Sequence, residues 1–215
     1  MQSDSSHPEL TLYYAPRCRA FTGLWLMEEL GEPYVLESFL LASNRHKEPD
    51  YLALNPLGKV PLVVDGGIPV SEVGAIAAYL AERFPESGLA PPIGDPDRAA
   101  YLRWLFYVPG LLEPAMTQKL VGFEMKAASA SWGSWEQTLA VARDAVTPGP
   151  YLLGERFSGV DILAASGLRF AVMFGAIPKE DPLAAYVARV QERPSFERAS
   201  AIEQREGERF PPTQE

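Results

Sequence analysis

The sequence predicts an α/β domain followed by an all-α domain. Three observations indicate this order: strand-like and helix-like stretches alternate over the first half of the chain, a stretch rich in Pro, Gly and Ser follows at residues 85–96, and the pattern beyond it is helical. A sheet with helices packed on its faces is the usual way to bury the apolar sides of alternating elements. We therefore predict domains at residues 8–86 and 97–215, joined by a linker at residues 87–96.

The first domain opens with a strand, a helix and a second strand. Residues 10–14 (LTLYY) form a short apolar and aromatic run, which is typical of a strand. Residues 19–30 have a helical pattern and are followed by Gly31, a residue that tolerates the positive φ common at helix ends. Residues 34–39 (YVLESF) predict the second strand.

A hairpin and a helix complete the first domain. Residues 62–64 and 68–70 flank Asp65-Gly66-Gly67, which is a hairpin signal. From Glu72 onward, apolar residues recur every four positions and so share one helix face. These residues are Ile76, Leu80 and Phe84.

The second half predicts helices. Residues 97–116 are rich in aromatic side chains, and Pro109-Gly110 predicts a kink in this helix. Residues 134–146 predict another helix. A third begins at Ser158, because Asp161 stands three residues later and can accept a hydrogen bond from the Ser158 N–H, as in a capping box.

Charge and cysteine content exclude several classes of partner. The formal net charge of −9 disfavours nucleic acid and anionic membranes, since no long-range attraction to phosphate exists. The sole cysteine, Cys18, cannot form an intrachain disulfide, which fits a reducing compartment. No apolar run approaches the ~20 residues that span a bilayer, and the first residues lack the basic and apolar regions of a secretion signal. We therefore predict a cytoplasmic protein.

Several segments, in this order and spacing, resemble the glutathione S-transferase family. Those resembling its thioredoxin-like amino-terminal domain are residues 55–61 (NPLGKVP), Asp65-Gly66, residues 72–76 (EVGAI) and Tyr79-Leu80. Those resembling its all-helical domain are residues 101–115, 157–162 and 193–196. The resemblance implies the glutathione S-transferase fold, glutathione as co-substrate, a hydrophobic electrophile as second substrate, a homodimer and a role in detoxification. It implies no metal.

The resemblance places glutathione along Val60, Pro61 and Glu72. A proline between a loop and a strand is a position where a cis bond can be held, and the family resemblance implies a cis Val60-Pro61 bond. That geometry would turn the N–H and C=O of Val60 toward the cysteinyl backbone of the tripeptide. The Glu72 carboxylate would accept from the α-amino group of the γ-glutamyl end, and the Val73 N–H would donate to its carboxylate. The common family pattern has Ser at position 73, so a hydroxyl is missing here.

Cations before and after residue 51 predict contacts with the glycine carboxylate of glutathione. In related proteins, residues at the positions of His46 and Lys47 reach this group, and Lys59 carries a further positive charge. The competing interpretation is a solvated run of charges, here Arg45-His46-Lys47, since such runs are usually surface features.

The group that activates the glutathione thiol lies in the segment after the first strand, and the sequence leaves three candidates. Cys18 stands where many relatives place Ser, Tyr14 ends the strand, and Arg19 is a cation at the helix start. A thiol near a helix N-terminus can become a thiolate and form a mixed disulfide with glutathione. A buried, inert Cys18 is the alternative.

The leading functional prediction is a glutathione transferase that conjugates hydrophobic electrophiles. The alternatives are a glutathione-dependent thiol-disulfide oxidoreductase that uses Cys18, and a non-catalytic binding or assembly module. The electrophile is expected between the domains, against an apolar wall whose members could equally be core residues. The aromatic residues considered for this wall are Trp104, Phe106, Tyr107 and Phe123.

Overall fold

The computed structural model describes residues 9–126 and 129–211. Contacts divide the chain into two compact units: the first takes residues up to Tyr79 and again from Pro194, and the second is Leu80–Arg193. The predicted domain boundaries at residues 8 and 215 lie outside the described residues. The boundaries at residues 86 and 97 stay predictions.

The first unit contains a four-stranded sheet with the strand order β2-β1-β3-β4. β1 pairs in parallel with β2 and antiparallel with β3, and β3 pairs antiparallel with β4. The strands are β1 (Leu10–Tyr14), β2 (Tyr34–Ser38), β3 (Leu62–Asp65) and β4 (Ile68–Ser71). This mixed sheet confirms the predicted thioredoxin-like domain.

Helices connect and follow these strands. The parallel pairing of β1 and β2 requires a crossover, which α1 supplies. The helices that begin in the first unit are α1 (Phe21–Leu30), the short α2 (Pro49–Leu54) and α3 (Val73–Arg83). Gly31 ends α1 with φ of 77°, and Gly66 and Gly67 form the predicted turn with φ of 53° and 91°.

The second unit is helical over its described residues. Its helices are α4 (Arg98–Tyr107), α5 (Glu113–Val121), α6 (Trp135–Ala145), α7 (Gly159–Met173) and α8 (Pro182–Gln191). Between α4 and α5, Pro109-Gly110 lies in a wide π-type turn, Val108–Leu112, so the predicted kink is an enlargement of one turn. Buried Asp161 accepts from the Ser158 N–H at 2.9 Å, as the capping-box prediction requires.

The final helix, α9 (Pro194–Arg209), belongs to the first unit. Phe196 packs edge-on against Phe21 and Trp25 of α1, with ring centroids 5.8 and 4.8 Å away. The Trp25 indole N–H donates to the Ser195 hydroxyl at 3.1 Å, which satisfies a buried polar group on each side. The first unit is therefore built from both ends of the described chain.

Within residues 9–126 and 129–211, each helix is too short or too polar to cross a bilayer.

Candidate functional site

The strand register brings several loops to one end of the sheet, which we call the site end. Leu62, the first residue of β3, pairs with Tyr13 near the end of β1 and with Ser71, the last residue of β4. The chain therefore leaves β1, enters β3 and leaves β4 at the same place. Pro61 directly precedes Leu62, and Glu72 directly follows Ser71. Because Leu62 and Ser71 are paired, Pro61 lies beside Glu72.

The loop that enters β3 is held by side chains of α2 and its flanks. The Tyr51 hydroxyl and the Asn55 side-chain amide both donate to the Lys59 carbonyl, at 2.5 and 3.0 Å. The Lys47 ammonium donates to the carbonyls of Leu57 and Gly58, at 3.0 Å each. These bonds fix the backbone up to Val60, and the Val60-Pro61 bond is cis, as the resemblance implies.

Gly23 lets α1 approach Pro61 closely. A Cβ at Gly23 would lie 2.6 Å from Pro61 Cβ and 2.9 Å from its Cγ. Separations below 3.0 Å force one group to move, and the proline ring is rigid. A glycine in a helix interior is unfavourable by about 1 kcal/mol relative to alanine. Gly23 therefore serves the position of Pro61 at the site end.

Glu72 joins β4 to α3 in a left-handed backbone conformation, with φ of 67°. For a residue other than glycine, this conformation is unfavourable by roughly 1–3 kcal/mol and occurs preferentially at binding sites. The Glu72 side chain is exposed, and its carbonyl accepts the Ile76 N–H at 2.9 Å in the first turn of α3. An exposed acidic residue and the first N–H groups of α3, beginning at Val73, therefore lie next to each other at this junction.

The predicted cations gather next to this loop. The pKa of His46 is lowered, first by burial and then by the charges of Lys47 and Lys59, which places the three side chains in one electrostatic neighbourhood. His46 stacks on Phe39 with ring centroids 6.2 Å apart, and its Nδ1 is buried without a hydrogen-bond partner among the described residues. Arg45 differs from these three, because Asp50 and Glu48 bind its guanidinium at 2.6 and 3.0 Å.

Cys18 lies on the site-end side of the first unit. Cys18 and Val60 both pack against one apolar cluster, which consists of Ala15, Phe39, Tyr51 and Leu62. The Cys18 thiol donates to the Ala15 carbonyl at 3.1 Å, and its sulfur accepts the Ala20 N–H at 3.4 Å. Burial raises the pKa of this thiol, and the Ala20 N–H and the Arg19 charge lower it by less. The sulfur is therefore a protonated thiol at neutral pH.

The structure places the other two activation candidates differently. Tyr14 is 0% exposed on the inner face of β1, and its hydroxyl has no hydrogen-bond partner among the described residues. The preceding residue, Tyr13, points to the opposite side of the strand, where its ring meets Tyr51 at 5.4 Å. Arg19 is half-buried beside Cys18 and acts on it through charge.

The aromatic residues considered for an apolar wall divide into two pairs. Trp104 and Tyr107 are buried, and the Tyr107 hydroxyl donates to the Thr138 carbonyl at 3.0 Å. Phe106 and Phe123 are 71% and 41% exposed. Of these four residues, only Phe106 and Phe123 present apolar surface to a ligand.

Three features of the site were missed by sequence reasoning. Gly23 could have been found, because an isolated glycine inside a helical pattern is a signal of close packing. The roles of Tyr51 and Asn55 in holding the loop, and the contacts of α9 with the segment before α1, have no short-range signal. The α9 contacts join residues 186 or more positions apart. The bonds of Tyr51 and Asn55 to Lys59 span only 8 and 4 positions, but they depend on the folded path of the loop into β3.

This mixed sheet defines a thioredoxin-like domain. It carries an acid at a strained strand-to-helix junction and a basic neighbourhood beside the loop into β3. Comparisons with known proteins agree. Residues 8–82 match the family model described as the glutathione S-transferase N-terminal domain. The family model, the curated relatives and the solved structures together support membership of the chain in the glutathione S-transferase superfamily.

Individual relatives support this assignment along most of the chain. Glutathione S-transferase GstA of Escherichia coli O157:H7 is 28% identical over 200 residues, which cover 90% of this chain and 98% of the relative. A glutathione transferase homologue from Sulfitobacter, solved with bound glutathione, superimposes with a TM-score of 0.71 at 26% identity, covering 91% of this chain and 97% of that one. Disulfide-bond oxidoreductase YfcG of Escherichia coli K12 is 35% identical over 116 residues, covering 51% of this chain and 53% of the relative.

Proposed function

We propose that this protein is a glutathione transferase that binds glutathione at the site end and joins its sulfur to hydrophobic electrophiles. The observation that carries the proposal is Glu72, whose exposed carboxylate stands in a strained conformation at the start of α3. Strain of this kind persists only where the surrounding structure holds it, which supports a binding role. The glutathione bound by the Sulfitobacter homologue supports the choice of ligand.

Each part of glutathione has a chemically suitable partner at the site end. The γ-glutamyl end carries an amine and a carboxylate, which suit the Glu72 carboxylate and the Val73 N–H. The cysteinyl backbone suits the N–H and C=O of Val60. The glycine carboxylate suits His46, Lys47 and Lys59, and the remaining proton of the Lys47 ammonium is available beyond its two carbonyl contacts.

Cys18 is proposed to adjoin the glutathione sulfur. Its single S–H proton, which the Ala15 carbonyl accepts in this structure, can turn to donate a weak hydrogen bond to a glutathione thiolate. The N–H groups at the start of α1 also favour the charge of that thiolate. The glutathione thiol loses its proton to solvent, its sulfur forms a bond to the electrophilic carbon, and the leaving group departs with the electron pair of its bond to that carbon. Cys18 remains a thiol throughout.

Binding and conjugation are tested together with Glu72 variants. We expect wild-type protein to be retained on immobilised glutathione and to release chloride from chlorodinitrobenzene in the presence of glutathione. Glu72→Ala should lose at least tenfold in glutathione affinity, because a charge-assisted hydrogen bond contributes about 1.5–3 kcal/mol. Glu86→Ala, which removes an exposed acid from a short 3-10 turn, is the matched control. Absence of binding at millimolar glutathione would refute the proposal.

A second candidate function, thiol-disulfide exchange, is favoured by the partial exposure of Cys18, which packs against the same apolar cluster as Val60, and by the similarity to YfcG. In this reaction the Cys18 thiolate attacks a mixed disulfide of glutathione, forms a disulfide with the glutathione sulfur and releases the other thiolate, which takes a proton. A second glutathione thiolate then attacks that disulfide. Oxidised glutathione leaves and the Cys18 thiol is restored.

Cys18→Ala and Cys18→Ser separate the two candidates. If conjugation is the function, both variants keep glutathione binding. Their rate of conjugation then falls by a smaller factor than their rate of thiol-disulfide exchange. If exchange is the function, both variants lose turnover of a glutathione mixed disulfide entirely. Unchanged rates of both reactions would remove Cys18 from either mechanism.

A further inference from the structure

The loop between β1 and α1, residues 15–20, is bound by the C-terminal part of α9. We call it the Cys18 loop. Arg17 adopts a left-handed conformation with φ of 58°, and its N–H donates to Glu203 Oε1 at 2.7 Å. Its guanidinium donates to the Gly207 carbonyl at 2.9 Å and to the Phe210 carbonyl. A residue next to the sole cysteine is therefore held at three points by a segment that lies 186 or more positions away in sequence.

The chemistry of these contacts explains their strength. The last carbonyls of a helix lack intrahelical partners and carry the negative end of the helix dipole, so a guanidinium is favoured there. Arginine presents donors in a planar fork, which lets one side chain bind two carbonyls. Gly207 leaves room for this fork, since a Cβ at that position would approach Arg17 Nη1 to 3.2 Å.

Glu203 supports the strained backbone rather than an ion pair. One carboxylate oxygen accepts the Arg17 N–H, and the other is buried without a hydrogen-bond partner among the described residues. A half-buried carboxylate with an unsatisfied oxygen is unfavourable by itself. The carboxylate is stabilised by its hydrogen bond from the Arg17 N–H, and the same bond holds Arg17 in a conformation that few residues other than glycine adopt.

The position of the Cys18 sulfur depends on that conformation. Cys18 directly follows Arg17, and its thiol is bound between the Ala15 carbonyl and the Ala20 N–H, the two ends of the same loop. A rotation about φ of Arg17 displaces every later atom of the loop. Release of Arg17 from α9 would therefore move the sulfur out of this bonded and partly buried position.

We propose that Arg17 and Glu203 are positioning residues that tie the last turns of α9 to the Cys18 loop and thereby set the reactivity of the Cys18 thiol. The inference rests on the proposed function in one respect, that Cys18 adjoins the glutathione sulfur. The thiol itself can be followed without glutathione, because the chain has one cysteine.

The test measures the alkylation rate of Cys18 with iodoacetamide over a range of pH, beside turnover with glutathione. We expect Arg17→Ala to raise the alkylation rate at neutral pH at least fivefold and to lower its pH midpoint, because exposure removes the burial that raises the pKa of the thiol. Turnover with glutathione should fall by about tenfold to 100-fold, as expected for a displaced reacting group. Glu203→Ala should likewise raise the alkylation rate, lower its pH midpoint and lower turnover with glutathione.

Conservative variants and a matched arginine complete the design. Arg17→Lys keeps the charge but not the planar set of donors. Its alkylation rate and pH midpoint should lie between those of wild type and Arg17→Ala. Glu203→Gln keeps an acceptor for the Arg17 N–H and should restore most of the wild-type alkylation profile. Arg156→Ala removes another surface arginine, one that binds Asp95, and should leave the profile unchanged. Thermal unfolding of each variant verifies that the fold is kept, and if Arg17→Ala does not fold, Glu203→Ala and Arg17→Lys decide the test.

The outcomes separate the two proposals. If folded Arg17→Ala and Glu203→Ala keep the alkylation rate and its pH midpoint within twofold of wild type, the positioning role is refuted. If alkylation responds as expected while wild-type protein neither binds nor turns over glutathione, the control of the thiol stands and the proposed function is refuted.

Discussion

At the scale of single residues, Glu72 combines two properties that oppose each other. Its left-handed backbone lowers the stability of the fold, and its side chain is proposed to bind the amine of glutathione. Glycine adopts this conformation without the contact between Cβ and the backbone that makes it unfavourable. Glu72 therefore lowers the stability of the fold but places a carboxylate at the site end.

This effect on stability can be measured by comparing Glu72→Ala with Glu72→Gly. Both variants lack the carboxylate and should bind glutathione equally weakly. Glu72→Gly should exceed Glu72→Ala in free energy of unfolding by about 1 kcal/mol, since only alanine retains the unfavourable φ. Urea unfolding followed by circular dichroism gives the difference, and equal stability of the two variants would contradict the assignment of strain to this residue.

His46 should make the proposed binding of glutathione depend on pH. Its pKa lies below the ordinary 6.5, so the ring is neutral at pH 7 and gains a positive charge as the pH falls. The carboxylates of glutathione stay ionised down to about pH 5. We expect the affinity of wild-type protein for glutathione to rise by a few-fold between pH 7.5 and pH 5.5, because one nearby charge pair in water contributes about 1 kcal/mol.

Titration calorimetry at several pH values measures this change in affinity. His46→Asn, which removes the titrating group and keeps a polar side chain, is the comparison. A rise of equal size in His46→Asn would assign the pH dependence to another group.

At the scale of elements, the position of α1 depends on the lack of a side chain at Gly23. Gly23 gives the helix its close approach to Pro61 and so fixes the distance between α1 and the loop into β3. The start of the same helix carries the Cys18 loop. The position of the sulfur and that of the Val60-Pro61 backbone, which is proposed to bind glutathione, therefore both depend on one helix.

Gly23→Ala should destabilise the protein in spite of the higher helix propensity of alanine. The added methyl group overlaps the Pro61 ring, and overpacking of this kind typically lowers the free energy of unfolding by about 1–3 kcal/mol. Glutathione affinity should fall as well, since Pro61 or α1 has to move. Urea unfolding and calorimetry measure the two effects.

Gly110→Ala is the matched control for this substitution. A Cβ at Gly110 meets no atom within 4 Å, so this variant should be neutral or slightly stabilising. Equal effects of the two substitutions would show that the loss of a glycine, rather than contact with Pro61, is responsible.

Patterns of short range account for the elements that the sequence predicted correctly. The hairpin at Gly66-Gly67 and the end of α1 at Gly31 follow from single residues that require or tolerate positive φ. The start of α7 follows from the spacing of Ser158 and Asp161. Strand alternation also predicts that Tyr13 and Tyr14 lie on opposite sides of β1. Which of the two sides is buried depends on how the strand pairs, and the sequence of one strand does not reveal this.

At the scale of the whole molecule, the first compact unit depends on residues from the far end of the chain. The order of an α/β domain and a helical domain could be predicted from the sequence, yet the packing of α9 on α1 rests on pairs such as Phe196 with Trp25. Pairs of this kind leave no periodic pattern, because each helix shows only that one of its faces is apolar. The contacts of Arg17 with Gly207 and Phe210 are hidden for the same reason.

Phe196→Ala should therefore destabilise the first unit although it lies near the end of the chain. Removing the ring uncovers Phe21 and Trp25 and should lower the free energy of unfolding by about 2 kcal/mol, somewhat less than for a fully buried phenylalanine. Hydrogen exchange should accelerate in the amides of α1. Phe174→Ala removes a ring that is 65% exposed and should change stability by less than about 0.5 kcal/mol. Slow exchange in α1 of Phe196→Ala would contradict this dependence.

The discontinuous first unit also has a consequence for the order of events during synthesis on the ribosome. The sheet and α1 emerge early, but the partner of Phe21 and Trp25 and the contacts of Arg17 come from α9, which leaves the ribosome after the whole of the second unit. Until then, the apolar face of α1 lies open to water or to chaperones. The second unit can complete its fold while the chain is still growing, whereas the first unit reaches its final form only after α9 has also emerged.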